Sequence, residues 1–131
     1  MPPARLVLIG RGLGGPVVLM AAALAAAPLG GVASWSALAS FHSLAEAESC
    51  AWPAGAFLPD VLPHFDLPEL VATLPGPVAV LEPLDAGRRP LTAEEAQSLY
   101  GPLRSTARLV AGGADGQAAA AIASLLAQAT A

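Results

Sequence analysis

A glycine-rich turn near the start of the chain is the first feature that could do chemistry. The stretch RLVLIGRGLGGPVVLMAAAL, residues 5–24, leads from an apolar run through a cluster of glycines into an alanine-rich segment. A short apolar run ended by glycine is typical of a buried parallel strand, and Pro16 suits the first turn of a helix. This strand–turn–helix context is shared by dinucleotide-binding loops and by nucleophile elbows, so the turn is a candidate site of either kind.

The dinucleotide interpretation rests on Gly10, Gly12 and Gly15, which have the spacing G-x-G-x-x-G. That fingerprint also needs an acidic residue about 20 positions further on, at the end of the next strand, to hold a ribose hydroxyl. The first acidic residue after the turn is Glu46, and the segment GGVASWSALAS before it offers only serines. A small dinucleotide-binding module that uses residues 10–15 is therefore one alternative.

The elbow interpretation takes GRGLG, residues 10–14, as the pattern G-x-S-x-G. The middle position, which presents the nucleophile in that pattern, is occupied here by Gly12. Glycine has no hydroxyl and cannot form an acyl-enzyme, so an elbow at this position would keep the turn and lose its chemistry. A third interpretation is that the glycines only allow a helix to pack closely against a strand.

Composition limits the classes of protein to be considered. The 131 residues are about one domain in length, and the 55% that are hydrophobic can fill a core of that size. The formal net charge is -4, and the six basic residues are all arginines scattered along the chain, which argues against nucleic-acid binding. Only 12% of residues are charged, so we expect part of the surface to be covered by a partner.

Neither a metal site nor a membrane span is expected. The single cysteine, Cys50, excludes an intrachain disulfide and any zinc-binding cysteine pair, and we predict no metal and no resident cofactor. Residues 12–45 are uncharged, but the apolar run in them is mostly alanine and is broken by Pro28 and Gly30, which argues against a spanning helix. A signal peptide within residues 1–34 is a minor alternative, and the compartment stays open.

Four apolar runs typical of strands alternate with segments typical of helices. The predicted strands are residues 5–10, 30–37, 77–82 and 107–113, and the predicted helices are residues 16–27, 66–74, a helix after Thr92, and 116–129. Thr92 and Glu95 form a capping box. Prolines interrupt residues 41–74, which we predict to be an excursion of loops and short helices. The pattern predicts an α/β fold with a parallel sheet of about four strands and flanking helices.

Two downstream segments, SWSALASFHSLAEAESCAWPAGAFLPDVLPHFDLPEL and PVAVLEPLDAGRRPLTAEEA, resemble the C-terminal half of a bacterial α/β-hydrolase. More narrowly, HFDLPEL and PLDAGRRPL resemble proteins described as acetylxylan-esterase-like or dienelactone-hydrolase-like. The resemblance covers residues 5 to about 126. It implies a partial α/β-hydrolase fold in a single, incomplete domain of residues 1–131.

The resemblance also implies which residues stand at the catalytic positions. Asp85 takes the place of the triad acid, as a vestige, and Gly12 takes the place of the nucleophile. The triad histidine is implied in the loop after the next strand, where residues 111–117 contain none, and His42 and His64 both precede the acid. The loop that supplies one oxyanion-hole amide is also missing, so three requirements for acyl transfer fail.

The function expected from these observations is noncatalytic: a structural role, or a role in binding a partner or a ligand, beside a catalytic domain. The alternative is a weak carboxylic-ester hydrolase that uses Ser34, Ser36 or Ser40 with His42. The implied partner is the rest of a longer hydrolase chain or a second copy, covering an exposed face and edge of the sheet.

Asp66, which precedes LPEL, is expected to cap a helix.

Overall fold

A computed structural model describes residues 6–25, 29–47, 51–53, 56, 65–74, 76–103, 106–111 and 116–130. Four strands form one parallel sheet in the order β1-β2-β3-β4. The strands are β1 (Val7–Arg11), β2 (Gly31–Trp35), β3 (Val78–Leu81) and β4 (Ala107–Val110). The α/β fold with a parallel sheet of about four strands is thus confirmed.

Five helices flank this sheet within the described residues. They are α1 (Gly14–Leu24), α2 (Phe41–Glu46), α3 (Leu67–Thr73), α4 (Ala93–Tyr100) and α5 (Gln117–Thr130). The capping box predicted at α4 is present, because the Thr92 hydroxyl accepts from Glu95 N–H and the Glu95 carboxylate accepts from Thr92 N–H. None of the described helices is long and apolar enough to cross a membrane.

The helices lie on both faces of the sheet, and strand side chains alternate between the two cores. Val32 and Val78 point to the first face, where α1, α3 and α4 pack. Ala33 and Ala79 point to the second face, which α5 covers. Because the strand order is sequential, every helix between two described strands that packs on the sheet lies on the first face, and the last helix alone lies on the second.

The ends of the elements differ from the prediction for local reasons. The second strand stops at Trp35 instead of residue 37, and the third stops at Leu81 instead of residue 82. In each case the next residue has a positive φ, 48° at Ser36 and 49° at Glu82, which takes the chain out of the extended conformation. Helix α1 begins at Gly14, two residues before the predicted start.

The excursion predicted at residues 41–74 contains α2 and α3 and no strand in the part that the structure describes. It returns to the core through apolar anchors: Phe41, Trp52 and Leu67 are all buried. Pro68 lies in the first turn of α3, where a missing backbone N–H costs nothing. The excursion is therefore fixed at its described ends on the first face of the sheet.

Candidate functional site at the carboxyl ends of the strands

Three neighbouring strands are followed by residues in the left-handed backbone region. Gly12, Ser36 and Glu82 come directly after β1, β2 and β3 and have φ values of 60°, 48° and 49°. Each N–H continues the ladder: Gly12 donates to the Trp35 carbonyl, Ser36 to the Leu81 carbonyl and Glu82 to the Val110 carbonyl, at 3.0, 2.9 and 2.7 Å. These three residues form a row, which we call the left-handed row, at the carboxyl ends of the strands, where ligands of parallel sheets bind.

The left-handed row carries backbone strain at two positions. Glycine adopts a positive φ freely, but a serine or a glutamate does so at a cost of about 1 kcal/mol or more. Such residues cluster at functional sites, where the surrounding structure holds them in place. Ser36 and Glu82 therefore mark the carboxyl ends of the strands as the candidate site.

The glycines of the turn differ in what they contribute. A Cβ on Gly10 would overlap the carbonyl group of Gly14, and one on Gly15 would overlap Ala37 Cβ and lie 2.5 Å from Ser34 Oγ. Gly12 has a positive φ, whereas Gly14 has open space around it. Close contacts thus require glycine at 10 and 15, and a positive φ favours it at 12, which is the spacing of the dinucleotide fingerprint; the last glycine of the elbow pattern is not required.

An arginine, an indole and a carboxylate lie together at the ends of β1, β2 and β3. The Arg11 guanidinium lies 4.6 Å from the centre of the Trp35 ring, and Trp35 Nε1–H donates to Glu82 Oε2 at 3.4 Å. The contact gives Arg11 a cation–π partner and places a carboxylate beside the end of β2. An acid at this place is what the dinucleotide fingerprint requires, but it comes from β3 and not from β2 itself.

Asp85, the predicted vestigial triad acid, organises its own loop after β3. Its Oδ1 accepts from the N–H groups of Gly87 and Arg89 at 2.8 and 2.9 Å, and its Oδ2 lies 3.9 Å from Arg89 Nε. In a catalytic triad this carboxylate would accept from a histidine ring. No imidazole contacts Asp85 among the described residues, and two backbone donors hold one of its oxygens.

The Asp85 loop is also tied to the excursion. Trp52 Nε1–H donates to the Asp85 carbonyl at 2.9 Å, and the Arg88 guanidinium lies 4.6 Å from the centre of the Trp52 ring. Ala51 N–H donates to the Ala86 carbonyl at 2.9 Å. These contacts give the loop a structural role that the sequence did not indicate.

The structure does not assemble a nucleophile and base from Ser40 and His42. Ser40 is 2% exposed, and its hydroxyl donates to Asp66 Oδ2. The His42 ring points elsewhere, because its Nε2 lies 2.6 Å from Glu46 Oε1 on the exposed side of α2. The role predicted for Asp66 is confirmed, since its Oδ1 accepts from Leu67 N–H at the start of α3.

Two residues discussed from the sequence, and most of one loop, lie outside the described residues. His64 and Cys50 are outside the described residues, as is most of the loop of residues 111–117 where the triad histidine was expected. Among the described residues, no group of His, Cys, Asp or Glu side chains could hold a metal ion. Trp35 and Glu82 were missed, because nothing in the sequence shows that residues 47 positions apart meet.

Comparisons of the chain with models of protein families, with characterised proteins and with solved structures give no significant match. The resemblance to α/β-hydrolases therefore rests on the motifs quoted from the sequence. The parallel sheet with helices on both faces agrees with that fold and equally with other parallel α/β folds, so it does not distinguish among them.

Proposed function

We propose that this chain is a noncatalytic α/β-hydrolase-like unit that acts by association, and that a second copy of the chain is its simplest partner. The remainder of a longer hydrolase chain would use the same surface. The observation that carries this proposal is helix α1, which is apolar on the side that faces the sheet and also on the side that faces away from it.

The outward side of α1 is a stripe of large apolar residues. Leu13, Val17, Met20 and Leu24 follow one another at helical spacing, within about 60° of one another around the axis. Val17 is 59% exposed and Leu24 is 86% exposed. A helix that is apolar all round is normally buried on every side, so this stripe is a surface for a partner.

The stripe adjoins an open edge of the sheet. β1 is an edge strand, and Leu6 before it and Ile9 within it are 43% and 42% exposed. Ile9 pairs in register with Ala33 and so projects from the second face, across the edge of the sheet from α1. The outer side of β1 has no neighbouring strand among the described residues, so its outward backbone groups can pair with one. We call the stripe and these two residues the β1–α1 apolar surface.

The catalytic side of the proposal rests on Gly12. Glycine offers no nucleophilic side-chain atom. The Asp85 carboxylate accepts hydrogen bonds from the backbone of its own loop. A sensitive p-nitrophenyl acetate assay of the purified chain is expected to show no turnover above the buffer rate. Turnover that is abolished by Asp85→Asn would overturn the noncatalytic assignment.

Association is tested by sedimentation velocity over a series of protein concentrations. We expect the wild-type chain to self-associate, and Val17→Glu and Leu24→Glu each to shift the equilibrium toward monomer, because a buried carboxylate at the contact is unpaired. Leu99→Glu is the matched control, since Leu99 is an exposed leucine on α4, away from this surface. A wild-type chain that stays monomeric throughout the series contradicts association with a second copy.

A second candidate function is dinucleotide binding, and one observation favours it: close contacts require glycine at 10 and 15, and a positive φ favours it at 12, with the spacing of the fingerprint. Glu82 supports it by bringing a carboxylate to the end of β2. Isothermal titration calorimetry with NAD tests the candidate. Gly12→Val and Glu82→Gln are expected to weaken binding, whereas Gly14→Ala, which has open space, leaves the affinity unchanged. Equal affinities for all four proteins, or no heat of binding, would reject it.

A further inference from the structure

A groove opens between α5 and the third and fourth strands, on the second face of the sheet. Its volume is about 430 Å³, and it lies at the amino ends of the strands, away from the left-handed row. Its described lining includes Ala79, Arg108, Ala121, Ser124, Leu125 and Gln128. This volume is in the range of pockets that take small organic molecules.

The groove exists because α5 packs mainly on β1, β2 and β3 and covers β4 only in part, at Val110. Helix α5 contacts β1, β2 and β3. Its Leu125 side chain occupies the space above Gly31, where a Cβ would lie 2.6 Å from Leu125 Cδ1. Because Gly31 has no side chain, α5 can lie over the middle of the sheet. Space therefore remains beside β4, which is the other edge strand.

Arg108 is the charged group of this groove. Arg108 pairs in register with Ala79, so both residues project from the second face. The Arg108 side chain is exposed. The ion pairs formed between described residues are His42–Glu46 and Asp85–Arg89, and neither involves Arg108. None of the described lining residues is acidic. Because no described acidic residue pairs with it, the guanidinium can bind an anion from outside the chain.

The lining residues of α5 form an apolar wall with two polar groups. Ala121, Ser124, Leu125 and Gln128 recur at helical spacing and form one side of α5. Ala121 and Leu125 are buried, whereas the Ser124 hydroxyl and the Gln128 amide can donate hydrogen bonds. With Thr106 on the opposite side, the groove therefore combines one cation, three residues with neutral donors and a hydrocarbon surface.

We propose that this groove binds a monocarboxylic acid with a hydrocarbon chain, and that Arg108 holds the carboxylate. A guanidinium matches the two oxygens of a carboxylate with parallel hydrogen bonds. The apolar wall of α5 and Ala79 contacts the hydrocarbon chain. A single arginine suits a single negative charge better than the two charges of a phosphate monoester. The inference does not depend on the β1–α1 apolar surface.

The test uses octanoate as the probe and isothermal titration calorimetry of the whole chain. Octanoate is expected to bind, and octanamide, which has the same chain without the charge, is expected to bind at least about tenfold more weakly. Arg108→Gln is expected to weaken octanoate binding by a similar factor. Arg89→Gln removes an exposed arginine elsewhere and is expected to leave the affinity unchanged.

A second variant tests the groove separately from the charge. Ser124→Phe places a ring in the groove and is expected to abolish binding, while Ser124→Ala keeps most of the affinity. Thermal unfolding of each variant shows whether it has folded. Absence of octanoate binding to the folded wild-type chain, equal binding of octanamide, or an affinity unaffected by both Arg108→Gln and Ser124→Phe would each overturn the proposal.

Discussion

Ser40 and Asp66, which are 26 positions apart, join the starts of α2 and α3: the Ser40 hydroxyl donates to Asp66 Oδ2 at 2.5 Å. The same carboxylate accepts from Phe41 N–H at 2.7 Å at the start of α2 and from Leu67 N–H at 2.7 Å at the start of α3. One side chain therefore caps two helices, and both benefit from a negative charge at their N-termini.

Removing the Asp66 carboxylate should destabilise both helices at once. A single lost N-cap costs about 1 kcal/mol, so Asp66→Ala is expected to lower the free energy of unfolding by about 2 kcal/mol or more. Urea denaturation followed by circular dichroism measures this. Glu69→Gln, in the first turn of α3, is the control and should change the stability by less than about 0.5 kcal/mol. Equal stabilities of the two variants would contradict the double cap.

Two adjacent glycines at the start of α1 should respond oppositely to alanine. Gly14→Ala adds a methyl group in open space to a helical residue and should be neutral or stabilising by up to about 1 kcal/mol. Gly15→Ala drives a methyl group into Ala37 and Ser34 and should cost about 1–3 kcal/mol. Thermal unfolding of both variants compares them, and a tolerated alanine at 15 would show that α1 does not lie this close to β2.

Restoring a hydroxyl at the elbow position should not create an esterase. In Gly12→Ser the new hydroxyl has no imidazole to activate it among the described residues, because the His42 ring contacts the Glu46 carboxylate instead. The variant should also lose about 1 kcal/mol of stability, since serine replaces glycine at a φ of 60°. Labelling with a fluorophosphonate probe, compared with the wild-type chain, checks the chemistry. A stoichiometric label on the variant would show that a base lies within reach.

Tyr100 should give the chain a sharp alkaline limit. Burial, and to a smaller extent the charge of Asp66, raises the pKa of Tyr100 above its ordinary value of 10.0. Its hydroxyl donates to the Ala39 carbonyl at 3.4 Å in the core. Above about pH 10 the unfolded state loses the phenolic proton and the folded state keeps it, so unfolding becomes easier by about 1.4 kcal/mol per pH unit.

The measurement is direct because Tyr100 is the only tyrosine and the chain contains no lysine. Tyrosinate absorbance should appear together with the loss of helical circular dichroism, and not before it. Tyr100→Phe should remove the dependence on pH in this range while costing about 1 kcal/mol at neutral pH. Ionisation of Tyr100 in a chain that stays folded would contradict its burial.

The sheet and most helices could be predicted from sequence because their signals are local. Apolar runs indicated all four strands, and the Thr92–Glu95 box indicated α4. The candidate site could be predicted only in part. The glycine turn is visible in the sequence, but the Trp35–Glu82 contact joins two strands and has no local signal. The groove beside Arg108 depends on how far α5 shifts across the sheet, which packing at Gly31 decides.

The left-handed row also restricts how this sequence can change over time. Ser36 and Glu82 hold a backbone conformation that glycine, asparagine and aspartate adopt readily and that β-branched residues resist. Substitution to valine or isoleucine at these positions is thus selected against even where no ligand contact is involved. Descendants of this chain should therefore avoid β-branched residues at positions 12, 36 and 82 after their surfaces have diverged.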